Sequence, residues 1–242
     1  MSSAEDAVSF NNLGVTMLLA GQDQQAASSF RSSLSAIQSL LQGDRIPSMD
    51  CASKHQSLPC KADEGTNSLA YSMVPLRSLQ DPYFFIFNQL IKIPTWNEHD
   101  GGSIEGQAQG CQLTTMHTAF VIMNLAVAYH RLGLTRGGAA SVNFLRKAEV
   151  LYGNVDKILS GCQSSSNCMA LFVRIAAMNN RSQIFICRNE WNSAKVCLEL
   201  VACLLKSDTA IKSIRAASIL DAMSGFLSNV MILKPPETAA AA

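Results

Sequence analysis

Thr118 to Leu159, TAFVIMNLAVAYHRLGLTRGGAASVNFLRKAEVLYGNVDKIL, decides the fold class. Ile122, Leu125, Tyr129 and Leu132 recur at helical spacing, and so do Leu145, Ala148, Tyr152, Val155 and Leu159. Between the two runs, Gly133 and the pair Gly137-Gly138 read as breaks. Each half is apolar along one stripe only. Such a hairpin must bury that stripe against further helices.

The same arrangement recurs towards both ends. Near the N-terminus Phe10, Leu13, Met17 and Ala20 form one helical stripe; Gly21 is a natural stop and Asp23 a natural cap. Ala26, Phe30, Leu34, Ile37 and Leu41 line the partner helix. After a linker at Gly161 to Asn167, Ile175, Met178, Ser182 and Phe185 mark another first helix. Trp191, Ala194, Leu198, Val201 and Leu205 mark its partner. A last helix is expected from about Thr209 to Leu233, carrying Ile219, Met223, Phe226, Val230 and Leu233 on one face. The reading is a single all-α domain over 1–242, of antiparallel hairpins at about 4–41, 117–160 and 170–206 with a capping helix at 209–233.

Residues 42–112 differ. Five of the seven prolines lie there among Ser, Gly, Asn and Asp clusters, which predicts a loop-rich insertion. Within it the run Tyr83 to Phe87, continued by Asn88 to Ile93 and bracketed by Pro82 and Pro94, is rich in strand formers. It reads as a short strand or extended segment laid on the helical core. No cluster of basic residues precedes it to hold it at an anionic membrane surface.

Composition narrows the function. Net charge is +1 with no basic run, which argues against nucleic acid, because phosphate binding needs clustered Lys and Arg. Apolar runs such as Ala119 to Ala128 fall short of the ~20 residues that span a bilayer, and MSSAEDAVSF lacks the pattern of a signal peptide. A cytoplasmic protein without a membrane partner is expected. Its eight cysteines, among them Cys187, Cys197 and Cys203 inside helical patterns, read mostly as reduced thiols. No phosphate-binding, dinucleotide, zinc-protease or serine-hydrolase motif is present, so no enzyme activity, cofactor or metal is expected. Two alternatives use isolated residues. Cys51, His55 and Cys60, with Cys111, could bind zinc, though without paired CxxC geometry. A hydrolase could be built from Cys111 or Cys168 with His117 or His130, without a family signature.

Aligned, the hairpins share more than periodicity. The first helices read Asn11-Asn12-Leu13-Gly14, Met123-Asn124-Leu125-Ala126 and Asn179-Asn180-Arg181-Ser182, each followed three residues later by Met17, Tyr129 or Phe185. The partner helices carry Ala26-x3-Phe30, Ala148-x3-Tyr152 and Ala194-x3-Leu198. From the small residue to the alanine is 12 residues in the outer copies (26 − 14, 194 − 182) and 22 in the central one (148 − 126), which predicts a longer central loop. These residues resemble the tetratricopeptide repeat, most closely the kinesin-light-chain style, with Arg181 a departure from the pattern. An ordinary α-helical domain is the alternative.

The resemblance implies a non-catalytic scaffold whose first helices line a groove for a peptide or helix of a partner protein. Carried over, the groove face would comprise Asn11, Val15 and Leu18, then Met123, Val127 and His130, then Asn179, Gln183 and Ile186. The neighbouring Asn12, Asn124 and Asn180 resemble asparagines that reach a ligand's backbone in this style of repeat. They could equally bond a neighbouring helix turn. Carboxylate-binding members of the family carry a Lys and an Asn one turn apart on the first helix; here Asn11 and Val15, Met123 and Val127, and Asn179 and Gln183 take those places, without a lysine. A second class remains open, a helical subunit whose apolar surface is an obligate oligomer interface without a peptide groove.

Overall fold

The computed structural model describes residues 4–43, 71–76, 79, 81, 83–94, 106–161, 168–206 and 217–232. Among these lie seven helices and one two-stranded sheet. In chain order they are α1 (Ala4–Leu19), α2 (Asp23–Gly43), β1 (Ser72–Pro75), β2 (Gln89–Lys92), α3 (Gly106–Thr135), α4 (Gly138–Ser160), α5 (Cys168–Cys187), α6 (Trp191–Leu205) and α7 (Ala217–Ile232). Consecutive helices pack as antiparallel hairpins, and α2 bridges to α3, α4 to α5 and α6 to α7. The odd-numbered helices α1, α3, α5 and α7 also touch one another, so they form an inner layer with α2, α4 and α6 outside. No described helix is long and apolar enough to cross a membrane.

The repeated residues are the contacts between layers. Ala26, Ala148 and Ala194 are fully buried, and Phe30, Tyr152 and Leu198 fill the next layer. A Cβ on Gly14 would come within 2.6 Å of the Phe30 ring, so only glycine allows that approach. Serines on the outer helices tie the hairpins further. Ser29 and Ser33 on α2 donate to the carbonyls of Phe10 and Ala7, and Ser141 on α4 donates to that of Gly133. The helix stop at Gly21 is a Schellman turn: φ is +79°, Gln22 N–H bonds Met17 O and Gly21 N–H bonds Leu18 O. Asn189, at φ +60°, ends α5 the same way.

Four expectations need correction. Gly133 lies inside α3 rather than breaking it, and a Cβ there would strike Leu145 of α4 at 2.6 Å; it is a close-contact glycine. The ten extra residues of the central hairpin are not loop. Both helices are longer there, held by Tyr129 stacked on Phe144 at 5.9 Å and by the Gly133–Leu145 contact. The insertion ends earlier than residue 112, because α3 begins at Gly106. On α1 the stripe of Phe10, Leu13 and Ala20 is exposed; the buried face is Ala7, Val8, Asn11, Gly14, Val15 and Leu18. Hydropathy undervalues that face because an asparagine and a glycine form its middle.

Arg181, which replaces the leucine of the other copies, also has a cause. Its guanidinium lies 5.3 Å over the Phe185 ring and 3.7 Å from Glu149 of α4, against Gly153. Arg188 reaches the same Glu149 at 2.6 Å, so one carboxylate of α4 holds two arginines of α5. Cys187, Cys197 and Cys203 are free thiols, as expected. Cys51, His55 and Cys60, the start of the last helix at Thr209 and the tail beyond Ile232 lie outside the described residues.

Candidate functional site: an asparagine ladder along an extended segment

The inner layer holds an extended segment of the chain itself. Phe84, Ile86, Phe87, Leu90, Ile91 and Ile93 are buried, and β2 within this segment pairs antiparallel with β1, Val74 opposite Leu90. The even-numbered residues face β1, as in the bond from Leu76 N–H to Asn88 O. Alternation turns the amides of the odd-numbered residues the other way, towards the helices. Strand formers alone would leave those groups unpaired in a buried place, at a cost of about 1–3 kcal/mol each. Asparagines pair them.

Each of four asparagines meets one residue twice, accepting from its N–H and donating to its C=O. Asn229 on α7 bonds Phe85 at 2.9 and 2.7 Å, and Asn180 on α5 bonds Phe87 at 2.7 and 2.8 Å. Asn124 on α3 bonds Ile91 at 2.9 and 2.8 Å, and Asn12 on α1 bonds Ile93 at 3.0 and 2.8 Å. A carboxamide suits this work because it carries an acceptor and a donor side by side, like a peptide group. The amides stand in for a missing neighbouring strand.

Two further asparagines brace the four. Asn11 donates to Ile91 O at 3.1 Å and accepts from Asn124 at 2.9 Å. Asn179 donates to Phe85 O at 2.9 Å and accepts from Asn229 at 2.6 Å. The result is one three-asparagine clamp built twice, Asn11-Asn12-Asn124 on Ile91 and Ile93, and Asn179-Asn180-Asn229 on Phe85 and Phe87. Main-chain contact fixes the backbone, and side chains fill hydrophobic places. Phe85 sits edge-on to Phe226 at 5.4 Å, and Phe87 edge-on to Phe172 at 5.3 Å.

Gly225 makes room for Phe85, since a Cβ there would lie 2.3 Å from the ring's Cγ. Alanine is the better helix former by about 1 kcal/mol, but the clash involves the root of the ring, which cannot swing aside without moving the backbone. Gly225→Ala is therefore expected to loosen the segment: amide exchange over residues 83–88 should quicken while α3 and α4 keep their protection. Unchanged exchange would contradict the close packing of Phe85 on Gly225.

Below the clamps runs a buried polar chain. His130 accepts from the Tyr152 hydroxyl at Nδ1 (3.3 Å) and donates from Nε2 to Gln183 Oε1 (2.7 Å), the tautomer its partners require. Gln183 donates to Asp81 Oδ2 at 3.2 Å, and the other Asp81 oxygen accepts from Tyr83 and Phe84 N–H, forming the turn that leads into the segment. Asn180 donates to the Tyr152 hydroxyl, closing the chain back onto the ladder. Burial dominates the titration here: it pushes the His130 imidazolium down to about 4, against the Gln183 bond and Asp81, and raises the Tyr152 hydroxyl. His130 is thus neutral at pH 7, with both ring nitrogens committed. Among the described residues, no group of three metal-binding side chains occurs.

The sequence-derived site residues divide into three sets. Asn11, Asn12, Asn124, Asn179 and Asn180 come together on the segment's main chain, the ligand being the chain's own. Gln183 and His130 belong to the polar chain beneath it. Val15, Leu18, Met123 and Val127 are fully buried and Ile186 is partly buried, so they are packing residues of the inner layer in this conformation. Sequence reasoning missed Asn229 and Asp81. Asn229 belongs to the last helix, outside the three aligned hairpins, so the repetition that marked the other asparagines does not reach it; its place between Phe226 and Val230 on an apolar helix face is the signal that could have found it. Cys111 and Cys168 are on α3 and α5, with side chains outside the described residues.

Compared with protein-family models, with curated proteins and with solved structures, the chain matches none of them.

Proposed function

We propose that this chain is a tetratricopeptide-like, non-catalytic interaction scaffold whose concave groove holds an extended peptide of a partner protein by its main chain. The observation that carries the reading is the ladder. Four asparagines from four inner helices each read both main-chain groups of one residue. Recognition by main-chain amides tolerates varied side chains, which suits a scaffold. The groove's own occupant, residues 85–93, is held by non-covalent contacts alone, so a partner strand of like chemistry takes the same place once the segment leaves. The intramolecular segment has an effective concentration in the millimolar range, so exchange favours tight partners or a weakened segment.

A labelled synthetic peptide of residues 83–94, titrated into the full-length chain with its own segment weakened by Phe85→Ser and Phe87→Ser, tests this. Saturable binding is expected, abolished by adding Asn124→Ala and Asn180→Ala, with circular dichroism showing the helices intact throughout. Absence of binding to the weakened chain would remove the groove as a partner site.

The second reading, a subunit of an oligomer, draws on the outward face of α7. Leu227, Met231 and Ile232 are 51%, 72% and 59% exposed there, an apolar end to the array. Light scattering decides it: a dimer that Met231→Asp disperses favours the interface.

A further inference from the structure

We infer that the groove selects its partner segment by main-chain position, requiring N–H groups at i, i+2, i+6 and i+8, aromatic side chains at i and i+2, and branched aliphatic side chains at i+6 and i+8. This rests on the scaffold reading above and adds the ligand's reading frame. In the resident segment these positions are Phe85, Phe87, Ile91 and Ile93, each giving its N–H to one asparagine. The frame is not a simple alternation. Among the described residues, no asparagine reaches Gln89, although its amide has the same parity.

The gap follows from the architecture. Each clamp joins two adjacent inner helices, α1 with α3 and α5 with α7, and reads two residues of one parity. The clamps repeat six residues apart along the strand, roughly 20 Å at ~3.3 Å per residue. The intervening residue lies between α3 and α5, where the inner layer offers no third clamp. Direction is fixed too, because the strand's N-terminal half meets α7 and α5 and its C-terminal half meets α3 and α1. Proline, having no N–H, is excluded at the four read positions and admitted at i+4. The side-chain preference has its own basis: Gly225 and Phe226 receive a ring at i, Phe172 and Phe226 a ring at i+2, and Ile91 and Ile93 are at most 2% exposed.

Backbone N-methylation tests the frame, because it deletes one N–H and leaves the side chain unchanged. The probe is the labelled 83–94 peptide, unmodified or N-methylated singly at Phe87, Gln89 or Ile91, titrated into the full-length Phe85→Ser/Phe87→Ser chain. Methylation at Phe87 or Ile91 is expected to weaken binding roughly ten- to hundredfold, the cost of orphaning a buried asparagine oxygen. Methylation at Gln89 should leave the affinity near that of the parent. Tight parent binding with equal losses at all three positions would overturn the frame while leaving the scaffold reading standing. A parent that does not bind overturns both.

Discussion

Asn124→Ala is expected to lower the unfolding free energy by about 4 kcal/mol. The side chain is fully buried and makes three bonds, to Ile91 N–H, Ile91 C=O and the Asn11 carbonyl oxygen. Its removal orphans the Ile91 N–H and the Asn11 oxygen, each costing about 1–3 kcal/mol, while Ile91 C=O keeps the Asn11 bond. The loss should also release β2, so hydrogen exchange at Ile91 and Leu90 should rise well above that of α4. Asn12→Ala provides the scale. That side chain is only partly buried, water can replace it on Ile93, and about 1 kcal/mol is expected. Urea unfolding of both variants checks the pair. Equal losses at the two positions would mean that the ladder does not couple segment and core as described.

Acid should unfold the protein through its buried histidines. His130 and His117 both titrate near 4 in the folded chain, because burial disfavours the imidazolium, against about 6.5 when unfolded. Below pH 6.5 the unfolded state therefore binds protons that the folded state refuses, and stability falls as pH falls. The contribution is complete above pH 6.5 and is lost between there and pH 4. At 1.36 kcal/mol per unit, each histidine accounts for about 3 kcal/mol, most of it gone by pH 4.5. Asp23 has the opposite sign: burial raises its carboxyl pKa, against Arg131 and Arg136, so it stabilises slightly on acidification, one group against two. Denaturant midpoints measured from pH 7.5 to pH 4 should fall steeply, and His130→Gln, which can still donate to or accept from its neighbours, should flatten about half of the slope. A level profile in the wild type would mean that the histidines are hydrated in solution.

Much of the fold was legible along the chain because an α-helix writes its packing face into local spacing. Leu145, Ala148, Tyr152, Val155 and Leu159 were read as one stripe, and all are buried. Gly21 was read as a stop and supplies the positive φ of a Schellman turn. The same reasoning failed on α1, where the inward face holds Asn11 and Gly14. Local hydropathy cannot know that an asparagine will be buried, since that depends on a main-chain partner 80 residues away. Gly133 misled for a related reason: a glycine that ends a helix and one that admits a neighbouring helix look alike in sequence, and only Leu145 across the interface distinguishes them.

The site was half legible. Repetition of asparagine at one helical position singled out Asn12, Asn124 and Asn180, as readers of a ligand's backbone by resemblance or as partners of a neighbouring helix turn, and the strand formers of 83–93 marked an extended segment, but nothing local joined the two. By itself the sequence determined the helices and their pairing, because those follow from periodicity and residue type. Only the tertiary structure decided what fills the groove. The distance from Asn12 to Ile93 along the chain carries no signal, whereas in space Asn12 meets both main-chain groups of Ile93 within 3.0 Å. A strand with one open edge and a helical layer lined with amides each leave hydrogen bonds unmade, and burying them together satisfies both.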